Sequence, residues 1–343
     1  METYSDRVRR ATPKRGDLLY SREGSYHGIA AEVPDGVEIC MGQRMVLIRP
    51  DQGSLNFRFL RYWLNSAFVR GFIAGAREGS GAPRINMPTI RNLLVPVPAI
   101  EEQNAVAQML GALDDKIAIN ERIAVTADEL AESLFQSRTR RSDAVPMPNF
   151  LTPLLGGTPD RKIDAFWNGD VPWASAKDVV GARAGVLLDT EEKITDLAAE
   201  KSRAKKLPIG SVVLTARGTV GVVARIAQPT AINQSCYAFV PEGIPASVVF
   251  HLVRAASEHM LNVAHGTVFS TVNMKTFNHI EIPELSPNEL ASLDQEISPL
   301  HRTVEVHLRE SRTLAALRDA LLPQLMSGRL RVRDAEKIVE DAT

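Results

Sequence analysis

The hydrophobic pattern marks out two long helices. From Val106, apolar or small side chains recur in alternating steps of four and three through Leu110, Leu113, Ile117, Asn120, Ala124, Ala127, Ala131 and Leu134. That spacing is a heptad seam, the pattern by which one helix winds against another, and Asn120 is its one polar member. A second seam runs through Leu293, Ile297, Leu300, Val304, His307, Ser311, Leu314, Arg318 and Leu321. It is rougher. Pro299 near its start predicts a bend or a late helix start, because proline removes a backbone donor and crowds the preceding turn. An amphipathic helix lying on its own domain would explain ten such residues. A seam kept in phase for about thirty favours two paired helices. Elsewhere the apolar runs are short, as in Leu18-Leu19-Tyr20, Met45-Val46-Leu47-Ile48 and Val212-Val213-Leu214. Gly, Pro and Asn punctuate them, which predicts short strands of a twisted sheet.

These elements occur twice, in the same order. Gly16 to Ser25 matches Gly210 to Thr219 at an offset of 194 residues (16 to 210). Each reads as a Gly-initiated apolar strand followed by a polar turn containing Gly24 or Gly218. Gln43 and Gln234 then fall at equivalent places, each in a strand that ends at a proline, Pro50 or Pro241. Gly79, Asn86-Met87 and Pro96 match Gly266, Asn273-Met274 and Pro283 at an offset of 187 (79 to 266). The two helical stretches follow at that same offset. The predicted order is a first globular unit over 1–98, a helix over 99–141, a second globular unit over 142–285, a helix over 286–328 and a tail over 329–343.

With 343 residues, 44% hydrophobic and 24% charged, the chain can fill the cores of two or three domains. Forty basic residues stand against 41 acidic ones, so any nucleic-acid binding must come from a local patch rather than from net charge. Two cysteines, Cys40 and Cys236, exclude a disulfide scaffold and a four-cysteine zinc site. The polar N-terminus and the absence of any long apolar run place the expected location in the cytoplasm. Catalytic signatures are missing. There is no phosphate loop ending in Gly-Lys-Ser/Thr, no Gly-x-Gly-x-x-Gly after a strand, no Gly-x-Ser-x-Gly elbow and no Asn-Pro-Pro-aromatic motif. The seven histidines form no His-Glu-x-x-His pair. The expectation is a protein with no catalytic site, metal or cofactor of its own.

One stretch carries a family resemblance. Leu155-Gly156-Gly157-Thr158-Pro159-Asp160-Arg161-Lys162, followed by Phe166 to Asp178 with its Val171-Pro172-Trp173, resembles the opening of a target-recognition domain in the DNA-specificity subunit of type I restriction-modification systems. Gly210 to Gly218, Asn233-Gln234-Ser235 and the Asn-Met-then-Pro pattern follow in the family's order. Pro96 to Gln103 is similar to the start of its first conserved helix, and Leu321 to Gly328 to the end of its second. The resemblance implies an α+β fold: two mixed α/β recognition domains separated by two long antiparallel coiled-coil-like helices, in a pseudo-twofold internal repeat. It also implies a non-catalytic function, reading a bipartite double-stranded DNA target and positioning methyltransferase and restriction subunits. The alternative is a decayed or partial subunit acting only as an assembly scaffold. Basic residues in or beside predicted turns are the DNA-binding candidates: Arg22, Arg84, Lys177, Arg217 and Lys275. Exposed loop charge serving only solubility is the competing reading for each. Leu110, Leu113, Ile117, Asn120, Ile297, Leu300, Val304 and Leu314 are the candidates for the helix-pair and partner interface. Asn86 and Asn273 are expected to bond local backbone, and Trp167 and Trp173 to pack.

The two units differ in one respect. About sixty residues separate Phe150 from Gly210, whereas fifteen precede Gly16, and those fifteen lack the Gly-Gly-Thr-Pro and Pro-Trp motifs. The first recognition domain therefore reads as truncated. The expected consequences are a strand Leu18–Tyr20 with an unpaired edge and an exposed apolar face, and recognition carried mainly by residues 145–285. The Gly16–Pro98 unit is then expected to be weakly selective or inactive, with a second copy of the chain as a candidate supplier of the other half-site.

Overall fold

The computed structural model describes residues 11–24, 26–75, 84–263 and 272–342; Ser25, Gly79 and Gly266 of the matched motifs lie outside them. The described chain divides into two units, one running to Ala118 and resuming at Arg312, the other spanning Ile119–Ser311. Two 40-residue helices, Ile100–Thr139 and Pro287–Met326, contribute turns to both, and their start points differ by the same 187 residues as the motifs before them. Among the described residues no helix is long and apolar enough to cross a membrane.

In the first unit, β1 (Leu18–Ser21) lies between β2 (Ala30–Glu32) and β3 (Met45–Ile48), antiparallel to both. Leu18 and Tyr20 are fully buried, packed with Leu60, Leu64, Val69 and Ile73 of the helices Phe57–Asn65 and Ala67–Gly75. This overturns the expectation of a β1 with an open edge and an exposed face: the strand is central, and the two short helices cover it. The turns of the long helices in this unit pack through Val106, Leu110, Leu321 and Leu325, with Asp114 and Arg318 paired at 2.7 Å beside them. Gln103, fully buried, accepts from the Asn56 backbone N–H and donates to the carbonyls of Ser54 and Pro98, tying the helix start to the loop before Phe57. The expected C-terminal tail is instead a helix, Val332–Ala342, whose fully buried Ala335 joins the same cluster with Val332 and Val339.

The second unit holds, in chain order, β4 (Ala144–Pro146), β5 (Leu154–Leu155), β6 (Trp167–Ala174), β7 (Val186–Leu187), β8 (Glu192–Ile194), β9 (Lys206–Leu207), β10 (Val212–Thr215), β11 (Val223–Ile226), β12 (Thr230–Ile232), β13 (Cys236–Phe239) and β14 (Glu281–Pro283). Its main sheet, β5-β13-β10-β11-β7, contains the counterpart of the first unit's sheet, with β11-β10-β13 standing for β2-β1-β3. The correspondence extends to single hydrogen bonds. Arg22 N–H donates to Arg44, as Ala216 does to Ser235; Gly28 donates to Ser21, as Gly221 does to Thr215; Ile85 donates to Arg22, as Val272 does to Ala216. Asn86 and Asn273 each cap a short helix with the side-chain oxygen. The second unit adds β5 and β7 at the two edges of this core and a further sheet, β8-β6-β12-β9.

Within this unit the long helices are antiparallel: Asn120 faces His307 and Glu310, and Arg138 meets Glu296 at 2.5 Å. Ala124 and Ala127 pack with Val304 and Leu308. The seam departs from a strict heptad. Phe135 is buried where the spacing selected Leu134, and His301 and Leu308 are buried where it selected Leu300 and His307. A helix with 3.6 residues per turn drifts about 20° per heptad, which over four heptads approaches the spacing of one residue and accounts for Phe135; the second helix returns to the seam at Val304, Ser311 and Leu314. Pro299 does not delay the helix. Ser286 and Glu289 cap its start, and Leu293 and Ile297 are in the core before the proline is reached.

The seam asparagine gives a first prediction. Fully buried Asn120 donates to Glu310 at 2.9 Å and accepts from His307 Nδ1 at 3.1 Å. Both partners are partly exposed, so replacing Asn120 leaves them in reach of water rather than stranded. Asn120→Leu is expected to change unfolding stability by no more than about 1 kcal/mol, and a buried polar residue whose chief role is register would allow this. A loss well beyond that in a denaturant titration would show that the network itself holds the helices.

Candidate nucleic-acid interface

Four segments singled out in the sequence meet at one end of the second unit, and backbone hydrogen bonds bring them there. Gly156 donates to Cys236, and Gly157 to Ile232, so the chain after β5 lies directly on the turn Asn233–Ser235. Side chains would not fit. A Cβ on Gly156 would come 2.1 Å from the Asn233 carbonyl oxygen, and one on Gly157 2.5 Å from the backbone of Arg203. Trp173 donates from Nε1 to the Gly157 carbonyl at 3.0 Å, and Trp167 meets Trp173 edge-on at 5.3 Å, so both tryptophans pack as expected. The Thr158 hydroxyl bonds the side chain of Gln234. Asn233 in turn donates to Ala174, the residue before Ser175, which caps the helix Ala176–Val180. Ala216 donates to Ser235, and Val272 donates to Ala216. Lys177, Arg217 and Lys275 thus follow within a few residues of a single hydrogen-bonded cluster.

The three cations differ in what they already touch. Lys177, though 79% exposed, is held at 2.6 Å by Glu191, a hydrogen bond that raises its pKa. To meet a phosphate it would first exchange that partner. Arg217 is exposed and, among the described residues, has no ion pair; it acts electrostatically on Tyr237, opposing the rise that burial causes there. Gly218 follows it at φ 75°, a left-handed turn that glycine adopts without strain. Lys275 is exposed, and its backbone N–H is taken by Asn273.

The remaining two candidates are neighbours in the first unit, where Glu23 and Arg84 form an isolated bridge and Ile85 donates to Arg22. Arg22 is half-buried and lies 3.6 Å from Glu23; Arg84 is exposed. By the matched hydrogen bonds, Glu23 occupies the place of Arg217. That single position therefore carries opposite charge in the two units, with Glu23 paired to Arg22 and Arg44.

The candidate list omitted three exposed side chains on these turns. Gln234 and its counterpart Gln43 are exposed, and amide side chains of this kind can pair with an adenine edge. Arg161 stacks 3.8 Å over the Trp167 ring while paired with Glu192. Their signal in the sequence is their place in the Gly-Gly-Thr-Pro-Asp-Arg motif and at the matched positions 43 and 234. Cys236 lies beneath this surface, its thiol pushed up to about 12 by burial, so it is an inert core residue.

The family described as the type I restriction modification DNA specificity domain matches residues 2–127 and 155–297. The chain is 27% identical over 162 residues to the MjaIX specificity subunit of Methanocaldococcus jannaschii, a match spanning 46% of this chain but 38% of that subunit. To the HindI specificity subunit of Haemophilus influenzae it is 21% identical over an alignment of 402 positions, covering 92% of this chain and 87% of the other. Among solved structures, the S subunit of a type I restriction-modification system from M. genitalium superposes with a TM-score of 0.57 at 16% identity, covering 91% of this chain and 83% of that one. That likeness concerns the fold.

Proposed function

Because the chain belongs to the type I restriction modification DNA specificity family, we propose that it reads a bipartite double-stranded DNA target and positions methyltransferase and restriction subunits on it, with no catalytic site of its own. The observation that carries this reading is the convergence of four motif segments on one end of the second unit, with Arg217, Lys275 and Gln234 exposed there. Arginine and glutamine are the side chains suited to guanine and adenine edges, and lysine to phosphate. In this reading the second unit is the principal reader. The first is the weaker one, because Glu23, paired with Arg22 and Arg44, stands where the second unit exposes Arg217.

Duplex binding by the complex assembled with its methyltransferase tests the proposal. Affinity is expected to fall steeply with salt, by a slope of about −0.9 in log K against log salt for each phosphate neutralised. Arg217→Ala is expected either to reduce that slope by about one contact or to lose about 1–3 kcal/mol of discrimination at one base pair. Lys177→Ala should do less, since Glu191 already holds the lysine. Full assembly without any sequence-selective duplex binding would replace this reading with the scaffold alternative. Unchanged affinity and methylation pattern in Arg217→Ala would move the reading surface elsewhere.

A further inference from the structure

In the matched register, an edge that is paired in the second unit has no partner strand among the described residues of the first. In the second unit the outer edge of β13 is closed by β5, with Ala238 opposite Leu154 and Tyr237 opposite Leu155, and with Gly156 donating to the Cys236 carbonyl at 3.1 Å. The counterpart of β13 is β3, where Met45, Val46 and Leu47 stand for Cys236, Tyr237 and Ala238. The hydrogen bonds between β1 and β3 fix which groups of β3 face outward. Arg22 donates to Arg44, and antiparallel pairs alternate, so Val46 and Ile48 bond inward to Tyr20 and Leu18. The N–H and C=O of Leu47 and the C=O of Met45 therefore point away from β1. The Met45 N–H is satisfied by Gly42 at 3.2 Å, just as Cys236 is by Asn233 at 3.1 Å. Among the described residues no strand pairs with this outer edge.

The opposite edge of the same sheet is closed differently. Ala30 of β2 donates to Asn65 Oδ1 and accepts from Asn65 Nδ2, both at 2.9 Å, so one side-chain amide takes the place of a neighbouring strand. In the second unit that position is taken by β7. One edge of the first sheet thus has a built-in cap, and the other keeps the geometry of an acceptor.

We propose that the outer edge of β3 is a strand-acceptor site, filled in trans by an extended Leu-Leu-Gly-Gly segment of a second polypeptide in the manner of Leu154–Gly157. An open strand edge templates such addition, because the incoming backbone supplies the missing hydrogen bonds. The occupant is defined by its twin. A strand dipeptide opposite Val46 and Leu47 must be followed by glycine, because the chain then crosses the turn at Gly42 as Gly156 crosses Asn233, where a Cβ would overlap the backbone. The site concerns the fold of the first unit and does not depend on what the second unit reads.

The test is hydrogen exchange on the full chain with a synthetic peptide of the sequence Phe150–Trp173. The expected result is at least tenfold slower exchange of the Leu47 amide at saturating peptide. A peptide with valine in place of Gly156 should give no protection. Leu47→Pro removes the outward N–H at an edge position where proline is tolerated, and it should abolish the effect while circular dichroism stays unchanged. The valine peptide leaves the protein unaltered, so the test holds even if the proline variant misfolds. Equal protection by both peptides, no protection by either, or a Leu47 amide already protected in the chain alone would each overturn the proposal.

Discussion

Ile297→Asp is expected to unfold the second unit under conditions where the parent chain is stable. Ile297 has no exposed surface and lies in the cluster of Phe135, Leu293, Val249, Phe250 and Val253, where the second long helix meets the first and the helix Ala246–Val263. Ionised aspartate there has no cation to pair with inside the cluster, and protonated aspartate leaves a buried hydroxyl and carbonyl to satisfy. The lost burial alone amounts to about 2–3 kcal/mol, and stranding a charge adds about 3–5 kcal/mol when no partner is present. Against a typical total of about 5–15 kcal/mol, the sum removes most of the stability of a domain. Ile297→Val, which keeps the shape, should cost about 0.5–1.5 kcal/mol. Denaturant midpoints of the two variants check the pair of values. A near-parental midpoint for the aspartate variant would mean that the helix can rotate this position to solvent, and that the helix contact is not a fixed element of the fold.

What was legible in the sequence follows the range of the interactions concerned. Periodicity is local, so both long helices and the caps at Asn86 and Asn273 could be read directly. The repeat could be read too, because equivalent strands and turns need the same residue types in the same order. Pairing between distant segments leaves no such trace. Strand β1 looked like an edge because the Gly-Gly-Thr-Pro and Pro-Trp motifs of the second unit do not recur in residues 1–15. Nothing local announced that β2 and β3 would flank it, or that Asn65 would cap β2. The heptad template placed Leu134 on the seam because it assumes 3.5 residues per turn throughout, whereas the helix advances by four from Ala131 to Phe135. At the candidate interface the individual motifs were visible as sequence. Their convergence depends on the bonds Asn233 to Ala174, Ala216 to Ser235 and Val272 to Ala216, and the neutralisation of Lys177 by Glu191 depends on a loop closing fourteen residues later. The histidines gave the least signal. His251 and His301 are fifty residues apart on different helices, and neither has a metal-like neighbour in sequence.

Those two histidines support the last prediction: the second unit should lose stability as pH falls below about 6.5, the ordinary histidine value. His251 is fully buried and donates from Nδ1 to Glu132 at 2.8 Å, which leaves its Nε2 as an acceptor. His301 lies 3.1 Å away, Nε2 to Nε2, so it must be the donor of that pair. Both rings are neutral in this arrangement. Adding a proton to His251 would set two donors against each other. The surroundings disfavour it as well. Burial holds both pKa values below the ordinary range, and for His301 the cations Arg225 and Arg254 act in the same sense. Glu132 and Asp128 oppose this at His251, but Arg254 is already shared between those two carboxylates, at 3.0 Å from each. The sign follows from the depressed values. One unit or more above pH 6.5, folded and unfolded chains are both almost unprotonated at these sites and stability is full. Below it the unfolded chain takes up protons that the folded one refuses, so stability falls until the folded values are reached. One unit below the ordinary pKa, a refused proton corresponds to about 1.4 kcal/mol, which is the share of His301 at pH 5.5, and His251 adds to it in the same direction. His301→Gln keeps a donor toward His251 but takes up no proton, and it should lessen the decline between pH 7.5 and 5.5 by about 1.4 kcal/mol. An unaltered slope in that variant would assign the acid sensitivity to other groups, and a parent protein equally stable at both pH values would show that the pair accepts protons within the fold.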